Sequence, residues 1–135
     1  MNALVVDDSR SMRSILARIL TQLGAQVSQA GDGKSALALL ESGPLPDIAL
    51  VDWHMPIMDG LQFVSAVRRR PEWRPMAIMM VSTESDRHHI VQALAAGANE
   101  YIMKPFTKDA VQEKLELLGI AVLNIQTKGN QGESP

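Results

Sequence analysis

Four short apolar runs each end in side chains suited to phosphoryl or metal chemistry. Asp7-Asp8 follow Ala3 to Val6, Asp52 follows Ile48-Ala49-Leu50-Val51, Ser82-Thr83 follow Ala77 to Val81, and Lys104-Pro105 follow Glu100 to Met103. Three carboxylates brought together repel one another and stay ionised at neutral pH only beside a counter-charge. A hard divalent cation with oxygen ligands supplies one, and Mg²⁺ suits a shallow site that keeps several waters. An ionised carboxylate attacks phosphorus without a general base. Phosphoryl transfer asks mainly for positioning and for cations around the equatorial oxygens. With Lys104 and the metal for charge and the Ser82 hydroxyl as donor, the set is complete for making and losing an aspartyl phosphate on Asp52. Singly, each residue has a plainer role: Asp8 or Ser9 as the N-cap of a first helix, Asp52 as a turn starter before Pro56, Ser82-Thr83 as a helix cap, Lys104 as a strand-end lysine. Local roles do not explain why all of them end strands.

The elements that must position these residues recur regularly. Strand-length apolar runs begin near Ala3, Ala25, Asp47, Met76 and Glu100, at intervals of 22, 22, 29 and 24 residues, and a helical pattern follows each. This alternation predicts βαβ crossovers and a parallel sheet covered on both faces, whose strand C-termini share one ligand-binding edge. The first helix carries Met12, Ile15, Leu16, Ile19, Leu20 and Leu23 as one buried stripe, ended by Gly24. The second spans about Gly33 to Glu41, with Ala36, Leu37 and Leu40 inward. The third spans about Gly60 to Arg69 on Leu61, Val64 and Val67, and the fourth about Asp86 to Ala96 on Ile90, Ala93 and Leu94. The fifth begins near Lys108 with Val111, Leu115 and Leu118. Beyond it, either Gly119 stops the helix and Ile120 to Ile125 fold back as an apolar flap, or Val122 and Ile125 extend its stripe toward a dimer or partner contact.

Composition narrows the function classes. The 135 residues include 13 basic and 15 acidic side chains, for a formal charge of −2, which argues against an electrostatic nucleic-acid binder. The absence of cysteine removes disulfides, thiolate metal sites and cysteine nucleophiles, and fits a cytoplasmic protein. No stretch reads as a signal peptide or a membrane span. There is no Gly-x-x-x-x-Gly-Lys-Ser/Thr loop and no Gly-x-Gly-x-x-Gly after the first strand, so any phosphoryl group comes from a donor other than ATP held here. His54, His88 and His89 do not make a metal site on this reading, because His88 and His89 are neighbours near a helix start and point in different directions.

Four motifs in order carry a resemblance: Asp7-Asp8 with Ser9-Arg10-Ser11-Met12-Arg13; Asp52-Trp53-His54-Met55-Pro56-Ile57-Met58-Asp59-Gly60; Met80-Val81-Ser82-Thr83-Glu84; and Tyr101-Ile102-Met103-Lys104-Pro105-Phe106. Over about residues 2 to 118 the chain resembles the receiver domain of bacterial two-component response regulators, in particular the CheY-like single-domain type. The resemblance implies a flavodoxin-like (βα)5 doubly wound sheet, strand order 2-1-3-4-5. It implies Asp52 as phospho-acceptor, with Asp7, Asp8, Asp52 and the His54 backbone carbonyl holding Mg²⁺. It further implies Ser82 as the switch hydroxyl, Lys104 as the phosphoryl-pairing lysine, Pro105 as a cis proline that aims Lys104, and Tyr101 as the aromatic switch. His54 replaces the family's asparagine, while Glu84 keeps its acidic residue; both positions tune access of the hydrolytic water.

The expectation is therefore a receiver domain over residues 1–125, a polar, disordered tail over 126–135, and a stand-alone regulator, not an enzyme beyond its own phosphoryl transfer and dephosphorylation. A sensor histidine kinase or a histidine phosphotransfer protein donates to Asp52, and output is docking of a downstream protein on the face formed by the fourth helix, fifth strand and fifth helix. Tyr101 and Lys114 match positions that chemotaxis receivers present to the flagellar motor switch. Nucleic acid and membrane insertion are not expected, and the chain is a monomer or weak dimer. The alternatives are a phosphorelay intermediate or phosphate sink, and a metal-dependent aspartyl-phosphate phosphatase, which residues 52 to 54 disfavour because Asp-Trp-His is not Asp-x-Asp.

Overall fold

The structure, a computed structural model, describes residues 1–123 apart from the Glu84 side chain. Five parallel strands, β1 (Asn2–Val6), β2 (Gln26–Ala30), β3 (Ile48–Asp52), β4 (Ala77–Ser82) and β5 (Glu100–Met103), form one sheet in the order β2-β1-β3-β4-β5. Helices α1 (Arg10–Gln22), α2 (Gly33–Ser42), α3 (Gly60–Arg68), α4 (Arg87–Ala96) and α5 (Lys108–Leu117) follow the strands in turn. This is the doubly wound architecture that the βα period implies.

Alternation along the strands builds two cores. Leu4, Val6, Ala49, Val51, Ile78 and Met80 face α2, α3 and α4, joining Phe63, Val64 and Val67. Their strand neighbours Val5, Ile48, Leu50, Met79 and Val81 face α1 and α5, against Leu16, Leu20, Val111 and Leu115. Because both faces are covered, β3 is apolar until Asp52 and wholly buried. β2 is an edge strand, and mostly exposed.

The helical stripes are narrower than the sequence pattern. Ile15 is 48% exposed and Leu94 40% exposed, at the rims of α1 and α4. A helix lying on a sheet buries only the arc that faces it, so apolar residues at the edge of a wide stripe stay in water. Phe63, absent from the expected stripe of α3, is fully buried instead. A 3-10 turn at Glu84–Asp86 precedes α4, so that helix begins at Arg87 and not at Asp86.

At the C-terminus the structure selects one of the two alternatives. Gly119 adopts a φ of +78°, a left-handed conformation that glycine takes without a Cβ clash, and the helix stops there. The chain turns back, the Leu123 N–H donates to the Leu23 carbonyl at 2.8 Å, and Ile120 and Val122 pack on the α1/α5 core. Val122 therefore does not extend the stripe of α5; Ile125 lies outside the described residues.

Candidate functional site

Strand register brings the chemically interesting residues to one edge. Val6 is level with Ala30 and Val51, Asp52 with Val81, and Ser82 with Met103. Asp7, Asp52, Ser82 and Lys104 thus leave the sheet together, beside the β1/β3 point where strand order reverses and ligands of such sheets bind.

Each residue is held by its own local structure. Asp7 is buried; its Oδ1 accepts the Ser9 N–H at 2.9 Å and its carbonyl accepts Arg13 Nη1 at 2.7 Å. Ser9 caps α1 through Oγ, which accepts the Met12 N–H at 3.2 Å. Asp8 is exposed and is not needed as the cap. Asp52 ends β3, and Gly60, the first residue of α3, lies so close that a Cβ would stand 2.8 Å from the Asp52 carbonyl. Only glycine lets α3 start against the acceptor strand. Lys104 Nζ lies 3.2 Å from Asp52 Oδ1, its N–H donates to the Ser82 carbonyl at 2.7 Å, and the Lys104–Pro105 peptide is cis. Carboxylate oxygens of Asp7, Asp8 and Asp52 lie within 4.8 Å of one another, the one such group among the described residues.

The electrostatics follow from this crowding. Burial pushes the carboxyls of Asp7 and Asp52 above the usual range; for Asp52 the charge of Asp7 adds to it, and Lys104 only partly offsets the rise. Among the described residues three buried side-chain polar atoms, Asp7 Oδ2, Ser82 Oγ and His89 Nδ1, have no hydrogen-bond partner, and the first two lie at this edge. Buried polar groups are normally satisfied, so Asp7 Oδ2 and Ser82 Oγ are free to meet a ligand at this edge. Three carboxylates within 4.8 Å of one another, with one oxygen orphaned and a single ammonium beside them, fit a hard cation such as Mg²⁺.

A stability prediction arises here. A carboxyl raised in the folded state means that the native protein binds protons more tightly than the unfolded chain, so stability falls as pH rises from the ordinary carboxylate value through the raised one. Without metal at neutral pH, Asp7→Asn is expected to raise Tm by about 3–6 °C. The gain should shrink toward zero below about pH 4, where both states are protonated. Calorimetry of both proteins across pH checks it; a lower Tm for Asp7→Asn at pH 7 contradicts the cost of burying this charge.

The other expected positions lie around the crevice. His54 is two residues past Asp52, and its ring extends away, with Nε2 2.8 Å from Asp86 Oδ1. Tyr101 on β5 is half-buried, and Lys114 Nζ sits 4.7 Å from its ring centroid while pairing with Glu100. Pro105 is exposed. The Glu84 side chain lies outside what the structure describes.

Sequence reasoning missed Arg13, Trp53, Asp86 and His89. Arg13 braces the Asp7 turn, and His89 stacks on Trp53 with centroids 4.6 Å apart and an angle of 7°. Arg13 had a legible signal, since it lies on the first turn of a helix beginning beside two acids. Asp86 reads only as a helix cap, yet its side chain caps nothing. The loop after the acceptor also holds Ile57 at a φ of 72°, with the Met58 N–H donating to the Pro56 carbonyl at 2.7 Å, a tight γ-turn unusual for a β-branched residue.

Fold and edge chemistry together define a flavodoxin-like α/β domain with an acidic crevice that could hold a cation at its β1/β3 switch point. The chain belongs to the response regulator receiver domain family, whose model matches residues 3–116. It is 44% identical over 117 residues to a chemotaxis protein CheY homolog of Campylobacter jejuni, covering 86% of this chain and 90% of that protein. It is 39% identical to the chemotaxis protein CheY of Pseudomonas aeruginosa, over 86% and 94% of the two chains. Among solved structures it is similar to the chemotaxis response regulator CheY4 of Vibrio cholerae, with a TM-score of 0.80 at 32% identity over 87% and 97% of the two chains. It is also similar to the receiver domain of NtrX from Brucella abortus, with a TM-score of 0.78 at 30% identity over 85% and 95%. Family membership makes the protein a regulatory component of two-component signalling. No helix among the described residues is long and apolar enough to cross a membrane.

Proposed function

We propose that this chain is a cytoplasmic, Mg²⁺-dependent switch phosphorylated on Asp52, with chemotaxis-type output. The observation that carries the reading is the acidic trio with Lys104 Nζ already 3.2 Å from Asp52 Oδ1 and the Ser82 hydroxyl buried without a partner beside it. In the transfer from a histidine kinase or phosphotransfer protein, the donor's N–P bond breaks as an Asp52 Oδ–P bond forms, and the imidazole leaves with the electron pair. Asp7, Asp8, Asp52 and the His54 carbonyl would hold Mg²⁺, which neutralises charge on the phosphoryl oxygens. Lys104 pairs with one of those oxygens and Ser82 donates its hydroxyl to another. Hydrolysis reverses the state when water attacks the same phosphorus and the Asp52 carboxylate leaves.

Docking is the output this reading favours, because α4 carries an exposed apolar strip. Val91 is 70% exposed, and it and Leu94 line a hollow of about 320 Å³ with Ile90, Tyr101 and Met103. As Ser82 turns toward the phosphoryl group, the space it leaves admits Tyr101, which changes that face.

The test uses Mg²⁺ with a small acyl phosphate, followed by intact and peptide mass measurement. One phosphoryl group on the peptide containing Asp52, lost when EDTA is present, is the expected result; metal-independent labelling contradicts it. Amide resonances of Val91, Tyr101 and Lys114 should shift when beryllofluoride is added with Mg²⁺. If Asp52 is labelled but those resonances stay still, the protein is a relay or phosphate sink with no docking output.

A further inference from the structure

Two residues following the acceptor grip the start of α4, and no role above uses this contact. Asp86 is buried at 6% exposure in the 3-10 turn before α4. Its Oδ1 is 2.8 Å from His54 Nε2, and its Oδ2 accepts the Thr83 hydroxyl at 2.9 Å. Burial alone would raise this carboxyl, but the hydrogen bonds with His54 and Thr83 hold it below the usual range. His89, on the first turn of α4, stacks flat on Trp53 at 4.6 Å. The side chain of Asp86 makes no capping bond to α4, so its placement serves something other than the helix end.

The position in the chain gives the contact its meaning. His54 stands two residues after Asp52, and Thr83 directly follows Ser82. The Asp86 carboxylate therefore ties the segment carrying the acceptor to the segment carrying the switch hydroxyl, in a state where the Ser82 hydroxyl has no partner. Any backbone shift that brings Ser82 toward an oxyanion on Asp52 would carry Thr83 along, and Thr83 is anchored to Asp86.

We propose that Asp86 is a positioning residue: the His54–Asp86–Thr83 bridge clamps the switch segment in its resting place, and occupation of the Asp52 site releases the clamp and frees the start of α4. This rests on the phosphoryl-switch reading above. Site occupancy then reaches α4 by a side-chain route alongside that of Ser82 and Tyr101.

A double-mutant cycle on beryllofluoride affinity at saturating Mg²⁺, followed by tryptophan fluorescence in a Trp73→Phe background, tests the clamp. His54→Ala and Asp86→Ala are each expected to tighten binding about three- to tenfold, the worth of one such hydrogen bond. The double variant should tighten it no further than the stronger single one, because both remove the same contact. Thr83→Val should behave like Asp86→Ala, and Thr83→Ser, which keeps the hydroxyl, like wild type. Mg²⁺ affinity of Asp86→Ala should stay within about twofold of wild type, whereas general damage to the fold would weaken both ligands. Asp86→Asn serves as the second variant if Asp86→Ala folds poorly, with tightening again expected. Additive effects, unchanged affinity or weaker binding would overturn the clamp. If wild type binds Mg²⁺ but no beryllofluoride, the phosphoryl-site reading falls, and the clamp with it.

Discussion

Asp52→Asn is expected to abolish phosphoryl uptake, taking labelling by acyl phosphate and Mg²⁺ to background. The amide that replaces the carboxylate is neutral and a poor nucleophile at oxygen, so the lost term is the bond-forming atom itself. Neither neighbouring acid can substitute. Asp7 Oδ1 is engaged by the Ser9 N–H, and Asp8 is exposed to solvent, whereas Lys104 Nζ contacts Asp52. The asparagine variant should remain folded, because the substitution is nearly isosteric and removes a charge that burial and Asp7 already oppose. Intact mass after incubation, with a melting curve on the same sample, gives both results. Labelling of Asp7 or Asp8 in the variant at the wild-type rate would falsify the assignment of the acceptor.

The second large effect is expected at Lys104. Lys104→Ala should slow phosphorylation by acyl phosphate about 10²- to 10³-fold, the usual cost of losing one preorganised charge that faces the reacting oxygens. The ammonium is positioned before any phosphoryl group arrives, at 3.2 Å from Oδ1, by a backbone that hydrogen-bonds to the Ser82 carbonyl at 2.7 Å. Lys104→Arg should restore less than a tenth of the rate, since the planar guanidinium is longer and cannot place a point charge where the ammonium stood. Mg²⁺ affinity should change far less than the rate, because Lys104 contributes charge and no ligand. Pseudo-first-order labelling rates at fixed acyl phosphate, with Mg²⁺ titrations alongside, separate the two. A rate within threefold of wild type would show that the metal and Ser82 suffice.

These effects and the clamp at Asp86 differ in what they act on. Asp52 and Lys104 bear on the bond being made, whereas His54, Asp86 and Thr83 bear on the position of the segment that closes over it. Of these, Asp86 is absent from the site legible in the sequence, for a physical reason. Asp86 lies 32 residues from His54, and nothing in either neighbourhood marks the other as its partner. As neighbours near a helix start, His88 and His89 are expected from the sequence to point apart; the structure instead brings their rings to 3.9 Å between centroids, with His89 stacked on Trp53.

What the amino-acid sequence determined by itself is what short-range physics encodes. Apolar runs at a βα period imply a parallel sheet, and a sheet buried on both faces makes any polar residue at a strand end conspicuous, which is why Asp7, Asp8, Asp52, Ser82 and Lys104 stand out as one group in the sequence alone. Helix ends were legible to within a few residues for the same reason, because Gly and Pro act on their own backbone. Only the tertiary structure decided which of these groups touch. The Lys104–Asp52 pair spans 52 residues, the orphaned oxygens of Asp7 and Ser82 exist only once burial removes water from them, and the return of residues 120 to 123 onto α1 depends on a surface that no local pattern describes. Periodicity is a property of neighbours along the chain. Contact is a property of strand order and packing, and that is where the chemistry of this crevice is set.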